Sequence, residues 1–454
     1  MTKRKRKIDC LLLHIPRFSR KEPTVLKLPH GFFSMASYLK KRQCRVEILN
    51  VGSEVRQDPA FSLKEYLNSL TDVSLIAVSL QWHYQTYHTI KVVEMIKRLK
   101  PNARVVMGGF SATFFYEQIL TRFHFVDAVI RGDGERPLYE LLLKSKRGSD
   151  DLASVPNLAW RNSSGKIIVN KLSYVVSKKD NDSFSFTDFD LIYKYDNYLD
   201  ALALSPGGSL LDGHPVRSFV VPLGRGCSVD CAYCGGSRSS QKMLFGRKEV
   251  IFRDINSVVH DIQKYYRTYK IRIFHFCFDP CPGRPGYYIE LFRRIRRAGL
   301  KIYADFESWG IPSKRLIDEF ERTFLPGSDI SLSPESGSES FRKKIKGHYY
   351  SNDQFYRALD YFEAKGIRSI LYFIKEMPGQ PESAKRMTRK MIRFIKGRYR
   401  HVDQIFHLDV LIEPAAPMHL DPEAYNIKDR PMDFMDYYKA HGSNTREFVR
   451  LLRE

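Results

Sequence analysis

What most limits the folds open to this chain is an alternation of short apolar runs with helical patterns, which occurs in two blocks. The first block has apolar runs at 8–13, 46–51, 73–80, 104–107 and 126–130. Each reads as a strand buried on both faces, as strands of a parallel sheet are. Helical patterns follow near 31–42, 61–70, 86–100, 113–122 and 135–144. In the third of these, Val92, Met95, Ile96 and Leu99 share one helical face. Five such units predict an α/β, doubly wound, Rossmann-like domain over residues 1–145. Ligands of such sheets bind at the carboxyl ends of the strands. The second block has strand-like runs at 219–223, 271–278, 301–306, 329–332, 368–374 and 404–412, again separated by helical patterns. Six repeats predict a partial (β/α)6 barrel over 218–415, short of the eight that close one.

Between the blocks, 146–217 has weak periodicity and reads as a connector. It holds a hairpin over 157–168 that turns at Ser164-Gly165. Residues 205–209 form a turn cluster. The tail, 416–454, carries Pro422, Tyr425, Tyr437 and Tyr438, and is expected to form a short helical cap over the barrel.

At 454 residues, two or three domains are natural, and an apolar share of 43% supplies their cores. No apolar run approaches the ~18 residues of a membrane span. The basic start, Met1 through Lys7, is not followed by a signal-peptide pattern, so a cytoplasmic protein is expected. Seven cysteines are too few for a disulfide framework at this length. The formal charge of +23 fits a nucleic acid, an anionic membrane surface, an acidic substrate or a plain solvated basic face. Lys and Arg are spread along the chain, apart from 3–7 and 293–297, and no basic helix is interleaved with aromatics. That disfavours nucleic acid and leaves membrane-surface contact open.

Chemistry concentrates in the loop after the first barrel strand, where Cys227, Cys231 and Cys234 are spaced C-x3-C-x2-C. Three thiolates can hold three irons of a [4Fe–4S] cube and leave the fourth iron open for a substrate. A zinc site would want a fourth ligand, and the nearest histidines, His214 and His260, lack the spacing.

With the aromatic Tyr233 before its third cysteine and six strand–helix repeats behind it, this region resembles the radical SAM superfamily. The resemblance implies that Cys227, Cys231 and Cys234 each ligate one iron and that the open iron takes S-adenosylmethionine. The reduced cluster would then cleave the sulfonium to give a 5′-deoxyadenosyl radical. It offers Tyr233, Gly235, Gly236, Asp279, Ser333, Glu335 and Ser336 as S-adenosylmethionine contacts. Asp279 stands where relatives carry the motif for the methionine amine. A carboxylate accepting from both ribose hydroxyls is sound chemistry for Glu335, although a helix N-cap explains the Ser-Glu-Ser composition equally. Segment 372–380 resembles the family's adenine-holding strand. Cys277 and Cys281 flank Asp279. They read as buried free cysteines, and Cys281, if turned into the cavity, as a hydrogen-atom donor or a ligand to iron of an auxiliary group. Tyr303 and Glu307 are further candidates to face substrate.

Residues 8–145 resemble the cobalamin-binding domain that precedes many radical SAM enzymes. The likeness rests on the order of units, on Met107-Gly108-Gly109 and on the stretch from Val126 through Glu135. It offers Ser79, Trp82, His83, Gly108, Gly109, Gly132, Gly134 and Glu135 as cobalamin contacts. The D-x-H-x-x-G motif that supplies a histidine to cobalt is absent. Relatives without it leave the lower cobalt face unligated or facing a loop side chain, here 81–84, and His83 reads as that residue or as a polar loop residue.

Together the resemblances imply a cobalamin-dependent radical SAM enzyme, with substrate between cobalt and the adenosine C5′. Methylation of an unactivated carbon through methylcobalamin is the expected outcome. Cyclisation, ring rearrangement or other carbon–carbon bond formation are alternatives. The substrate class stays open among small molecules, lipids and peptides, and the electron donor would be a flavodoxin or ferredoxin. An RNA-modifying methylthiotransferase is disfavoured: only Cys10 and Cys44 precede the loop, where that kind carries three cysteines. A non-catalytic iron–sulfur or corrinoid-binding protein is the remaining rival.

Overall fold

The computed structural model describes residues 5–19, 26–204, 210–211, 214–278, 284–428, 430–431 and 433–452. The chain separates into two compact units. One comprises Met1–Val216, Leu244–Gly246 and Pro431–Glu454; the other comprises Arg217–Met243 and Arg247–Arg430.

The first unit is built on a seven-stranded sheet: β1 (Cys10–His14), β2 (Val46–Asn50), β3 (Leu75–Ser79), β4 (Arg104–Gly108), β5 (Ala128–Ile130), β6 (Leu158–Arg161) and β7 (Ile167–Val169). Their order is β2-β1-β3-β4-β5-β6-β7. The first five strands are parallel, and every residue of β1 and β3 is buried. That is the doubly wound sheet expected from the apolar runs. Helices α1 (His30–Lys40), α2 (Thr86–Leu99) and α3 (Glu135–Lys146) follow the predicted periods. The expected helix at 113–122 breaks at Phe115 into Phe110–Phe114 and Tyr116–Arg122.

The hairpin expected in the connector forms, but it is not a free linker. β6 pairs antiparallel with β5 and β7 with β6, so both extend the first sheet. An edge strand leaves a row of backbone donors and acceptors unpaired, and β6 satisfies them. Further on, Tyr198 accepts from the Leu28 N–H at 3.2 Å, and Lys194 pairs with buried Glu54 at 3.6 Å. The segment expected as a connector is therefore part of the first unit. The turn cluster at 205–209 lies outside the described residues.

The second unit carries six parallel strands in sequence order: β8 (Ser218–Val220), β9 (Ile273–Phe276), β10 (Tyr303–Ser308), β11 (Asp329–Glu335), β12 (Arg368–Glu376) and β13 (Val402–Asp409). Phe276 and Phe306 both pack on Phe292 of the outer helix, at 5.7 and 5.6 Å. Strand alternation then puts His275, Cys277, Asp305 and Glu307 on the opposite, concave side. The six predicted repeats are all present. β11 is irregular between Leu332 and Glu335, and Glu335 has a φ of +62°. The short helix α4 (Glu339–Ile345) follows it.

The tail departs from the expected barrel cap. Helices α5 (Phe434–Ala440) and α6 (Arg446–Leu451) belong to the first unit. Phe434, Tyr437, Phe448 and Leu451 are buried in one core with Val92, Val93, Met95 and Ile96 of α2. Periodicity shows that such a helix has an apolar face, but not which surface covers it.

Candidate cofactor site

The cysteine loop is pinned from three directions. Ala232 N–H donates to Ile345 O at 2.8 Å, Met418 N–H to Ala232 O at 2.8 Å, and Glu413 N–H to Tyr233 O at 3.2 Å. Ala232 itself is buried with Phe341, Ile345, Ile374, Ile412 and Met418. Gly347 passes so close that a Cβ there would lie 2.4 Å from Asp230 N. Its own N–H donates to Cys231 Sγ at 3.4 Å, and that of Gly236 to Cys234 Sγ at 3.3 Å. Burial pushes the Cys231 and Cys234 thiols up, while the Lys346 charge pulls Cys231 back. The Gly235 N–H donates 2.7 Å to half-buried Glu413, a residue with no signal in the local sequence.

Beside this loop, Tyr233 donates to Glu335 Oε1 at 2.8 Å, and buried Lys346 donates to the same oxygen at 3.3 Å. Glu335 is not a helix cap; Ser338 caps α4 by accepting from Phe341 N–H. Ser333 stands on β11 itself. Ser336 is turned into the packing, with its Oγ 3.1 Å from Thr388 Oγ1. Asp279 and Cys281 lie outside the described residues. Arg342, fully buried, donates to the carbonyls of Pro334, Ser336 and Tyr350 and to Asn352 Oδ1. Gln380 is buried, and both atoms of its amide lack a hydrogen-bond partner among the described residues.

In the first unit, strand order reverses between β1 and β3, where open α/β sheets bind ligands. At that point His14 Nδ1 lies 2.9 Å from Ser79 Oγ. Of this pair the sequence pointed only to Ser79, because a histidine closing an apolar run reads as strand. Gly108, Gly109, Gly132 and Gly134 lie at or just beyond neighbouring strand ends. Gly109 has a φ of +111°, and a Cβ there would sit 2.7 Å from Leu80 O, so only glycine fits. Trp82 stacks on Tyr84 at 5.7 Å. His83 is buried and turned to the tail, its Nδ1 3.0 Å from His441 Nε2. Glu135 is buried and accepts from Ser34 Oγ at 2.6 Å, which ties α3 to α1.

The radical SAM superfamily model matches residues 221–392, and the B12 binding domain model matches residues 28–142. The chain is a radical SAM protein with a B12-binding domain.

Among curated relatives, an anaerobic magnesium-protoporphyrin IX monomethyl ester cyclase of Rubrivivax gelatinosus is 21% identical over 68% of this chain and 52% of its own length. An uncharacterised methyltransferase of Pyrococcus horikoshii is 25% identical over 50% of this chain and 43% of its own. The chain thus spans about half the length of these two proteins. Two solved structures share the fold. The methyltransferase TsrM of Kitasatospora setae, with cobalamin and a [4Fe–4S] cluster bound, has a TM-score of 0.64 at 16% identity, covering 91% of this chain and 77% of that one. The radical enzyme OxsB, with aqua-cobalamin and S-adenosylmethionine, has a TM-score of 0.61 at 16% identity, covering 93% and 57%.

The cofactors of this radical SAM family are a [4Fe–4S] cluster, S-adenosylmethionine and cobalamin, and the residues present fit all three. Three thiols share one short, half-buried loop. The unsatisfied Gln380 amide suits a ligand with both a donor and an acceptor edge, as adenine has. At the sheet's ligand-binding end, Gly109 lets the 80–81 backbone pack against the end of β4, beside the His14–Ser79 pair at the switch point. Among the described residues, no helix is long and apolar enough to cross a membrane.

The buried Tyr233–Glu335–Lys346 group has a testable energetic signature. Lys346→Met leaves a buried carboxylate without its cation and is expected to cost about 3–5 kcal/mol. The double variant Lys346→Met/Glu335→Leu removes both charges and is expected to recover most of that in chemical denaturation. A single variant within 1 kcal/mol of wild type (~1 kcal/mol being typical of an exposed pair) would show that the pair is solvated.

Proposed function

We propose that the protein is a C-methyltransferase acting on an unactivated carbon of a small-molecule, lipid or peptide substrate. The observation that carries this reading is the pairing, in one chain, of a three-thiol loop with a B12-binding sheet whose switch point holds His14 and Ser79. When bound, the cluster supplies the electron that cleaves S-adenosylmethionine, and the corrinoid carries the methyl group. The chain's own residues do the rest. Cys227, Cys231 and Cys234 hold the cluster in a loop packed against apolar side chains, which limits water. Tyr233, Glu335 and Gln380 orient the nucleoside, with Ser333 as a further contact, and Asp279 is the candidate for the methionine amine. Ser79, Gly108, Gly109 and Gly132 border the corrinoid. A flavodoxin or ferredoxin delivers the electron. The cyclase name of one relative favours cyclisation as the second reading.

The two readings separate without knowledge of the substrate. Reconstituted protein is incubated anaerobically with cobalamin, S-adenosylmethionine and a reductant. Methyl transfer predicts S-adenosylhomocysteine alongside 5′-deoxyadenosine, and 5′-deoxyadenosine alone favours cyclisation. Cys231→Ala is expected to abolish 5′-deoxyadenosine and to lower bound iron. Persistence of 5′-deoxyadenosine in that variant would sink the radical reading.

A further inference from the structure

The concave side of the barrel holds a group of side chains that the cofactors do not account for. Asp305 and Glu307 stand two apart on β10, a spacing that puts both carboxylates on one face of a strand. Cys277 follows β9 at the level of Glu307, since Phe276 and Phe306 are register partners. The Cys277 thiol and one oxygen from each acid all lie within 4.8 Å of one another. Ligands at about 2.0–2.3 Å from a tetrahedral ion stand roughly 3.3–3.8 Å apart, inside that bound.

Neighbouring groups aim Asp305 in the manner of an outer ligand shell. Its Oδ2 lies 2.8 Å from His275 Nδ1, and its Oδ1 accepts from Ser331 Oγ at 3.2 Å. Asp329 is its register partner on β11. Asp329 Oδ1 is buried without a hydrogen-bond partner among the described residues. Among the described residues, the basic side chains facing this group are His275 and, beyond Asp329, Arg368, which also pairs with Asp403. Three carboxyls and a thiol thus converge where positive charge is scarce.

We propose that Cys277, Asp305 and Glu307 bind one divalent cation of the zinc class, separate from the cluster held by Cys227, Cys231 and Cys234. A thiolate among the ligands selects a borderline ion over magnesium or calcium, which take all-oxygen sets. Three protein ligands leave a tetrahedral ion one open position, as in catalytic rather than closed zinc sites. That position faces the concave side and takes water or an oxygen of a carboxylate or carbonyl substrate. The ion then polarises or anchors that oxygen without changing oxidation state.

The test uses full-length protein carrying its reconstituted cluster. It is incubated anaerobically with one equivalent of Zn²⁺, desalted, and assayed for zinc and iron together. Zinc X-ray absorption then reads the shell of that metal alone. Expected are one zinc per chain with full iron, one sulfur neighbour at about 2.3 Å and the remaining neighbours oxygen or nitrogen at about 2.0 Å. Glu307→Gln and Cys277→Ser are each expected to weaken zinc retention at least about tenfold, a typical cost for disturbing a metal site, with iron unchanged. A protein with full iron that retains no zinc overturns the site. So does a zinc shell with no sulfur or with three, or retention unchanged in both variants. Loss of iron in the wild type would count against the cluster assignment, and the zinc shell reads this site independently of it.

Discussion

Arg342→Ala is expected to lower stability by about 3–5 kcal/mol, the range for breaking a buried charged network. The guanidinium is fully buried and its donors are spent on Pro334 O at 2.8 Å, Tyr350 O at 2.9 Å, Asn352 Oδ1 at 2.8 Å and Ser336 O. Alanine removes all four donors and leaves three carbonyls without them, at about 1–3 kcal/mol for each buried orphan. Two of those carbonyls flank Glu335, whose left-handed backbone conformation is uncommon for a residue with a Cβ. The same substitution is therefore expected to free Glu335 from its position beside Tyr233 and to weaken S-adenosylmethionine binding. Arg342→Lys keeps the charge but loses the planar fork, and should fall between the two. Urea denaturation and isothermal titration check both effects. A loss under ~1 kcal/mol, within the reach of a single ordinary hydrogen bond, would show that backbone geometry alone holds the loop.

Arg342 also shows what the sequence could not yield. The barrel's six strands were legible because each is a short apolar run with a period of its own. The three cysteines were legible because they lie within eight positions, and Tyr233 and Glu335 because they sit in segments of recognisable composition. Arg342, Lys346 and Glu413 are ordinary surface types on paper. Their roles arise only when distant segments meet, as when Glu413 reaches Gly235 across 178 positions. Cys277, Asp305 and Glu307 likewise come together only once β9 and β10 pair. His83 is the sharpest case: a polar loop residue by sequence, it finds its partner 358 positions away.

That partner belongs to the tail, and the tail's docking carries the last large effect. Phe448 is fully buried, 5.4 Å from the ring of Phe18 and 4.5 Å from that of His88. Phe448→Ala is expected to cost about 3–5 kcal/mol, the range for deleting a core phenylalanine. Two imidazoles make the same docking sensitive to pH. His88 Nε2 lies 3.0 Å from Ser443 O, and His441 Nε2 lies 3.0 Å from His83 Nδ1. Burial pushes both His88 and His441 down to about 4, with the Arg17 charge adding to the effect. In the unfolded chain an imidazole titrates near ~6.5. The unfolded state therefore binds more protons between these values, and stability rises with pH. The contribution is complete above about pH 6.5 and is lost as pH falls toward 4, about 2 kcal/mol for each residue at pH 5. Amide exchange across 434–451 is expected to accelerate about tenfold or more from pH 7 to pH 5, after correction for intrinsic rates, a change that ~1.4 kcal/mol already produces. His441→Gln should remove about half of that dependence, because it leaves His88 titrating alone. Exchange that is flat with pH in the wild type would mean that the two rings are solvated and that the apolar contacts of Phe434, Tyr437, Phe448 and Leu451 alone hold the tail.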